Sequence, residues 1–255
     1  MKLSYKNELD AAIALAHKAG TIQLKNQRKI STVEIKPDYS PVTDVDKQCE
    51  NLIRNELLSA FPDDGFLGEE TGDISGKSGR RWMVDPLDGT RPYLRGIPTY
   101  SVLIGLEDNG EYVVGVTHFP AKDETYWASK GSGAFCNKRR IRVSNTKDMS
   151  AVLGSSLGIV ETFGSAEGKK LITLMQRWDY AYGFMDAYSY MSLASGRLDI
   201  CISLIDMPWD RASAACIVTE AGGKYSDLNG KKSIHNTSFV LSNGIVHSQV
   251  IKHFQ

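Results

Sequence analysis

The stretch Trp82-Met83-Val84-Asp85-Pro86-Leu87-Asp88-Gly89-Thr90 sets two carboxylates, three positions apart, between an apolar run and a Gly-Thr turn. Trp, Met and Val in succession predict a buried strand. Pro86 and Gly89 are expected to end it, leaving Asp85 and Asp88 on an irregular loop at its carboxyl end. Open α/β sheets build their sites at such ends. Two acids on a rigid turn suit a hard, oxygen-seeking cation such as Mg2+, Gly89 leaves room for backbone N–H groups to approach an anion, and Thr90 adds a hydroxyl. An Asx-rich surface turn has the same composition, so the reading depends on what other acids the chain supplies.

Two further segments supply them. In Phe66-Leu67-Gly68-Glu69-Glu70-Thr71-Gly72 a short apolar strand ends in glycine and two adjacent acids, whose repulsion calls for a cation or a base. In Met207-Pro208-Trp209-Asp210-Arg211 an acid opens a helix of small residues, where Asp210 serves as helix cap, metal ligand or both. Glu69, Asp85, Asp88 and Asp210 together offer enough oxygens for two or three Mg2+ ions with water completing each shell. Paired ions about 4 Å apart activate water and stabilise both the attacking and the leaving oxygen of a phosphoryl displacement. The water then needs a proton acceptor, for which Glu69 with the Thr90 hydroxyl, helped by Asp46, is the natural candidate. No covalent nucleophile on the protein is required.

Bulk properties narrow the partners. The 255 residues carry 30 Lys plus Arg against 30 Asp plus Glu, which gives no electrostatic case for a nucleic acid polymer or an acidic membrane surface. Cys49, Cys136, Cys201 and Cys216 are far apart and form no C-x-x-C pair, which argues against zinc and fits free thiols in a reducing compartment. With no apolar leader at residues 1–8 and no 18-residue apolar run, a cytoplasmic protein without a membrane span is expected.

Apolar spacing predicts amphipathic helices over 8–25 and 44–60, the second stopped by Pro62. Residues 73–81 have the composition of a mobile surface loop. Strand patterns at 100–106, 112–119 and 124–128 predict an antiparallel meander, with further strands at 141–144, 151–155, 198–202 and 239–241. Helices are expected at 165–177, 187–195 and 210–221. The composition shift near 145 divides an α+β front half, 1–145, from an α/β back half, 146–255, joined closely because no linker separates them.

Taken in order, Ser40-Pro41-Val42-Thr43-Asp44-Val45-Asp46, Gly68-Glu69-Glu70, Asp85-Pro86-Leu87-Asp88-Gly89-Thr90, Gly131-Ser132-Gly133-Ala134-Phe135 and Trp209-Asp210 followed by Val218-Thr219-Glu220-Ala221-Gly222-Gly223 resemble the inositol monophosphatase superfamily of Mg2+-dependent, lithium-sensitive phosphomonoesterases. The joint occurrence is specific where any one piece is weak. The resemblance implies a layered α-β-α-β-α sandwich, a homodimer and a small-molecule phosphate monoester as substrate. It implies that Glu69, Asp85 and the carbonyl of Leu87 hold one ion, that Asp85, Asp88 and Asp210 hold a second, and that Glu69 also contacts a third. Thr90 and Asp46 would activate water, the Gly89-Thr90 amides would bind phosphate, and Lys36 would point at the ions.

Thr90-Arg91-Pro92-Tyr93-Leu94-Arg95-Gly96 and the tract 182–191 look most like the histidinol-phosphate phosphatase branch, in which Asp186 would contact a cationic amine beside Arg91. Met185 stands where that branch usually has glycine, and Ser203 stands seven residues before Asp210 where relatives often carry an acid, Asp206 being the nearest acid. A helix with core tyrosines would also account for the tract. The expected substrate is histidinol phosphate or inositol monophosphate. Fructose bisphosphate or a 3′-phosphoadenosine nucleotide is the alternative, although only Arg91 and Arg95 stand ready for a second phosphate. A non-catalytic phosphate-binding regulator or scaffold is the alternative outside the enzymes. His17, His118, His235, His247 and His253 have no partner spacing for a metal or a triad and read as structural or surface residues.

Overall fold

In the computed structural model, which describes residues 5–27, 29, 33–37, 39–183 and 186–255 apart from the side chains at 161 and 163, the chain opens with helix α1 (Lys6–Asn26). A ribbon of β1 (Val33–Ile35) and β2 (Pro41–Thr43) leads into α2 (Asp44–Ala60), the helix predicted over 44–60. Thr43 caps α2, accepting from the Val45 amide at 3.1 Å while Asp46 accepts from the Thr43 amide at 2.8 Å.

One eight-stranded sheet follows: β3 (Gly65–Gly68), β4 (Gly72–Ile74), β5 (Arg80–Asp88), β6 (Ser101–Asp108), β7 (Glu111–Phe119), β8 (Glu124–Ser129), β9 (Gly133–Cys136) and β10 (Arg139–Ile141). The meander from β5 to β10 is antiparallel as expected. β3 inserts parallel to β5, between it and the edge strand β4. A short helix, α3 (Thr90–Arg95), separates β5 from β6. The second half contains β11 (Leu153–Leu157), α4 (Ile159–Phe163), α5 (Ala166–Met175), β12 (Tyr180–Tyr182), α6 (Asp186–Ala194), β13 (Ile200–Ser203), α7 (Pro208–Glu220), β14 (Lys224–Ser226), β15 (Phe239–Ser242) and α8 (His247–Phe254). Its strands make a five-stranded sheet in the order β12-β11-β13-β15-β14, parallel in the first two pairings and antiparallel in the rest.

Three apolar clusters define the layers. Leu9, Ala16, Cys49, Ile53 and Leu57 of α1 and α2 pack on Trp82, Val84, Val102 and Ile104 of the first sheet. The opposite face, with Met83 and Leu103, meets Tyr190, Met191, Ala212, Ala215 and Cys216 of α6 and α7, which also cover Cys201 and Leu241 of the second sheet. Leu171, Leu174, Val250 and Phe254 of α5 and α8 close the far side over Ile200, Ile202 and Val240. The result is the expected α-β-α-β-α sandwich. Gly105 and Gly115 face each other across β6 and β7, where an added Cβ would lie 2.6 Å from the Ala212 Cβ and 2.4 Å from the Ser213 carbonyl oxygen. Their missing side chains seat α7, and with it Asp210, directly on the sheet.

Three local expectations are corrected. Asp85 and Asp88 do not sit on a loop: β5 continues through Pro86 to Asp88, and its register with β6 shifts between the two acids. Such a bulge tolerates a residue that lacks an N–H. Residues 73–81 are not one loose loop. β4 reaches Ile74, and Arg80 opens β5 while pairing with Asp64 at 2.9 Å and Glu8 at 2.7 Å. The strand expected over 141–144 stops at Ile141, and the Val143 amide instead donates to the Ala221 carbonyl just beyond α7.

Candidate active site

A cavity of about 590 Å3 opens where β5 ends, and Glu69, Asp85, Leu87, Asp88, Gly89, Thr90, Arg91, Asp186 and Asp210 all line it. Two more expected residues stand just behind this lining: Asp46 touches Thr90, and Lys36 touches Glu69. The lining residues named here, from Glu69 to Asp210, are separated by up to 141 positions. Phe184 and Met185, next to Asp186, lie outside the described residues.

Each of Asp85, Asp88 and Asp210 accepts from a backbone amide. The Leu87 amide donates to Asp85 at 2.9 Å, Ser101 Oγ and the Ala187 amide donate to Asp88 at 2.9 and 3.2 Å, and the Met207 amide donates to Asp210 at 2.7 Å. Asp210 thus does cap α7, reaching back one turn, as sequence spacing allowed. Burial pushes the Asp85 carboxyl well above its ordinary value, and the charges of Glu69, Asp88 and Asp210 push it further. Asp88 rises through burial and the charges of Asp186 and Asp210, and Asp210 through burial and the charges of Asp206 and Glu69. As they stand, no three Asp, Glu, His or Cys side chains among the described residues are drawn together tightly enough to hold a metal ion. The donors nevertheless fit hard divalent cations, because every group is oxygen and the proton affinities of Asp85, Asp88 and Asp210 are raised by neighbouring acids, a repulsion that a cation relieves.

Thr90 occupies a relay position. Its Oγ1 lies 3.2 Å from both Asp46 Oδ1 and the Leu87 carbonyl oxygen, while Asp46 Oδ2 accepts from the Thr43 amide at 2.8 Å and from Thr43 Oγ1 at 2.5 Å. The capping box of α2 therefore also aims Asp46 at Thr90. Burial lifts the Asp46 carboxyl above its ordinary value despite those bonds, which makes it a better proton acceptor. Gly89 has φ 78°, and an added Cβ would meet Asp186 Oδ2 at 3.0 Å, so this turn excludes a side chain twice over. It opens α3, which no side chain caps.

Lys36 donates to Glu69 at 2.8 Å and to Glu70 at 2.6 Å. Burial opposes its charge, but the two carboxylates prevail and hold its pKa above the ordinary lysine value. Glu70 is pushed up to about 7 by burial and by Glu69, against the pull of Lys36. Beneath them buried Glu50 accepts from the Glu70 amide at 2.8 Å. Arg91 is exposed and donates to the Tyr39 carbonyl at 2.8 Å.

The wall opposite joins residues of the tract 182–191 and Asp206 to apolar groups that the sequence did not single out. Tyr190, fully buried on α6, donates to Asp206, and Ile159, Val160 and Ile205 add apolar surface. Tyr190 lies in the tract 182–191 that the sequence marks, one helical turn beyond Asp186, but its contact with Asp206 is not foreseen by spacing. Asp186 is pushed up to about 6 by burial and by the charge of Asp206.

The chain matches the model of the inositol monophosphatase family over residues 5–255. It is 39% identical over 231 residues to the histidinol-phosphatase of Chlorobaculum parvum, covering 89% of this chain and 88% of that protein. It is 34% identical over 250 residues to the fructose-1,6-bisphosphatase/inositol-1-monophosphatase of Thermotoga maritima, covering 96% and 95%. The crystal structure of the extragenic suppressor protein SuhB from Bartonella henselae superimposes with a TM-score of 0.89 at 30% identity over 98% of this chain and 99% of that one.

Proposed function

Since the chain belongs to the inositol monophosphatase family and is a phosphatase, we propose that it hydrolyses a small phosphate monoester with Mg2+, the substrate being histidinol phosphate or inositol monophosphate. The observation that carries this reading is the convergence of Glu69, Asp85, Asp88 and Asp210 on one cavity beside Gly89 and Thr90. Those four carboxylates and the Leu87 carbonyl would hold two or three Mg2+ ions, which supply Lewis acidity to water and to the phosphate when bound. Gly89 and Thr90 at the start of α3 orient the phosphate oxygens. Thr90 takes a proton from the attacking water and passes its own to Asp46, with Glu69 as the alternative acceptor. The water oxygen bonds to phosphorus, the ester P–O bond breaks, and its electron pair leaves with the alcohol oxygen, which takes up a proton. Asp186 and Arg91 face the leaving group.

Relatives carry names for histidinol, inositol and fructose bisphosphate substrates. A bisphosphate is disfavoured because Arg91 is engaged by Tyr39 and acids face it across the cavity. Four buried free thiols suit the reducing cytosol, no described helix is long and apolar enough to cross a membrane, and a homodimer is the family-based expectation. A panel of histidinol, inositol, fructose and nucleotide phosphates, assayed with and without Mg2+, tests the reading. Mg2+-dependent release of phosphate from a monoester is expected, and release from none of them refutes it.

A further inference from the structure

We propose, resting on the phosphatase reading above, that Arg95 on the lip of the cavity draws the phosphate dianion inward by charge alone, without a fixed contact. The cavity is acidic: Glu69, Asp85, Asp88, Asp186, Asp206 and Asp210 line it, and among the described residues its only cationic side chains are Arg91 and Arg95. These two stand four positions apart on α3, and so share one face of it. Arg91 is already committed. It donates to the Tyr39 carbonyl at 2.8 Å, and its charge opposes the rise that burial and Asp206 impose on Asp186. Arg95 is exposed, and among the described residues its guanidinium has no ion-pair or hydrogen-bond partner. Nor is it spent on closing α3, because the Gly96 amide donates to the Tyr93 carbonyl at 3.2 Å and the Ile97 amide to the Pro92 carbonyl at 2.9 Å.

A charge so placed has a use here. A phosphate monoester carries close to two negative charges near neutral pH, and it enters a cavity in which Asp186 and Asp206 stand outside the proposed ion ligands. A cation at the mouth offsets their repulsion of the incoming ester and raises its local concentration. One positive and two negative charges about 8 Å apart in water attract strongly enough to change binding several-fold. Salt at about 0.5 M, where the screening length is about 4 Å, removes most of that attraction. A tethered guanidinium would instead grip one pair of oxygens at fixed range, and nothing tethers Arg95.

Steady-state kinetics with inositol 1-phosphate and histidinol phosphate, at saturating Mg2+ and at ionic strengths of about 0.05 M and about 0.5 M, test this in the wild type, Arg95→Gln, Arg95→Glu and Arg95→Lys. At low salt Arg95→Gln should lose roughly three- to tenfold in kcat/KM through KM, with kcat unmoved. Arg95→Glu should lose about the square of that factor, because its change in charge is twice as large. Arg95→Lys should match the wild type, since charge rather than the planar guanidinium is what acts. At high salt the variants should come within about twofold of the wild type. An unchanged kcat/KM in Arg95→Gln at low salt, a loss that high salt does not shrink, or a failure of lysine to restore the wild-type value overturns the proposal. A fall in kcat with KM unmoved assigns Arg95 to the chemical step and also overturns it. Cleavage of neither ester by the wild type defeats the phosphatase reading itself, an outcome distinct from wild-type cleavage that the substitutions leave unchanged.

Discussion

The end of β5 and the turn between β13 and α7 both deliver carboxylates to one cavity, but they hold them by different means. β5 is buried from Trp82 to Asp88 and flanked by β3 and β6, so Asp85 and Asp88 are placed by a sheet ladder and its bulge. The turn leaves Ile205 44% and Met207 48% exposed, and Asp206 is placed by the hydroxyls of Ser203 and Tyr190. A ladder cannot be rearranged without unfolding the sheet, whereas a side-chain tether changes with one substitution. On the proposed reading, ion binding and water activation belong to the first region, and the second faces the leaving alcohol.

The largest effect that would break this division is at β5. Asp88→Asn should lower kcat by roughly 1000-fold, about 4 kcal/mol, while near-ultraviolet circular dichroism shows an intact fold. Retained turnover would remove Asp88 from the chemistry. Next is the seat of α7: Gly115→Val should destabilise the protein by about 3 kcal/mol in urea unfolding, because a side chain there meets helix backbone. Unchanged stability would mean that α7 is free to shift and that Asp210 is not fixed by the sheet.

A third prediction concerns protons. In the ion-free protein, burial and mutual charge raise Asp85, Asp88 and Asp210, with Glu70 pushed up to about 7 and Asp186 to about 6. The folded state therefore binds more protons than the unfolded chain between those raised values and the ordinary carboxylate range, and stability should rise as the pH falls from about 8 towards about 5, by about 1.4 kcal/mol per pH unit for each extra bound proton. His118 and His247, pushed down to about 4 mainly by burial, work the other way below about pH 6.5. Thermal unfolding across that range should show the rise without Mg2+ and a smaller one with saturating Mg2+, where Glu70 and Asp186 still contribute, and a slope indifferent to Mg2+ would count against ion binding by Asp85, Asp88 and Asp210. The smallest effect is at the relay: Thr43→Ala should cost about 1 kcal/mol of stability through the lost α2 cap and also lower kcat by loosening Asp46. A stability loss with kcat unmoved would separate Asp46 from the reaction.

Much of this was legible in the sequence where one residue's surroundings are local. The period of α2, the alternation of the meander and the acids flanking Pro86 and preceding Thr90 all speak within a few positions. The continuation of β5 through Pro86 was not legible, because a bulge depends on the partner strand β6. The cavity wall of α6 was not either: that Tyr190 meets Asp206, 16 residues on, follows from how α6 lies against the β13–α7 turn, which no periodicity records. Ser203 shows the same limit. In the chain it is an acid's absence, while in the fold its hydroxyl builds the turn that brings another acid in. Arg80, read as part of a mobile loop, anchors β5 because its partners Glu8 and Asp64 come from distant segments.

The most direct test of the account is calorimetric titration of Mg2+, in the presence of inorganic phosphate, into the wild type and into Asp210→Asn. Asp210 comes from the second half of the chain, far from the other three acids, so its participation is what convergence on shared ions requires. The account predicts Mg2+ uptake by the wild type and loss of at least one bound ion in Asp210→Asn. Identical stoichiometry and affinity in the two proteins would contradict it.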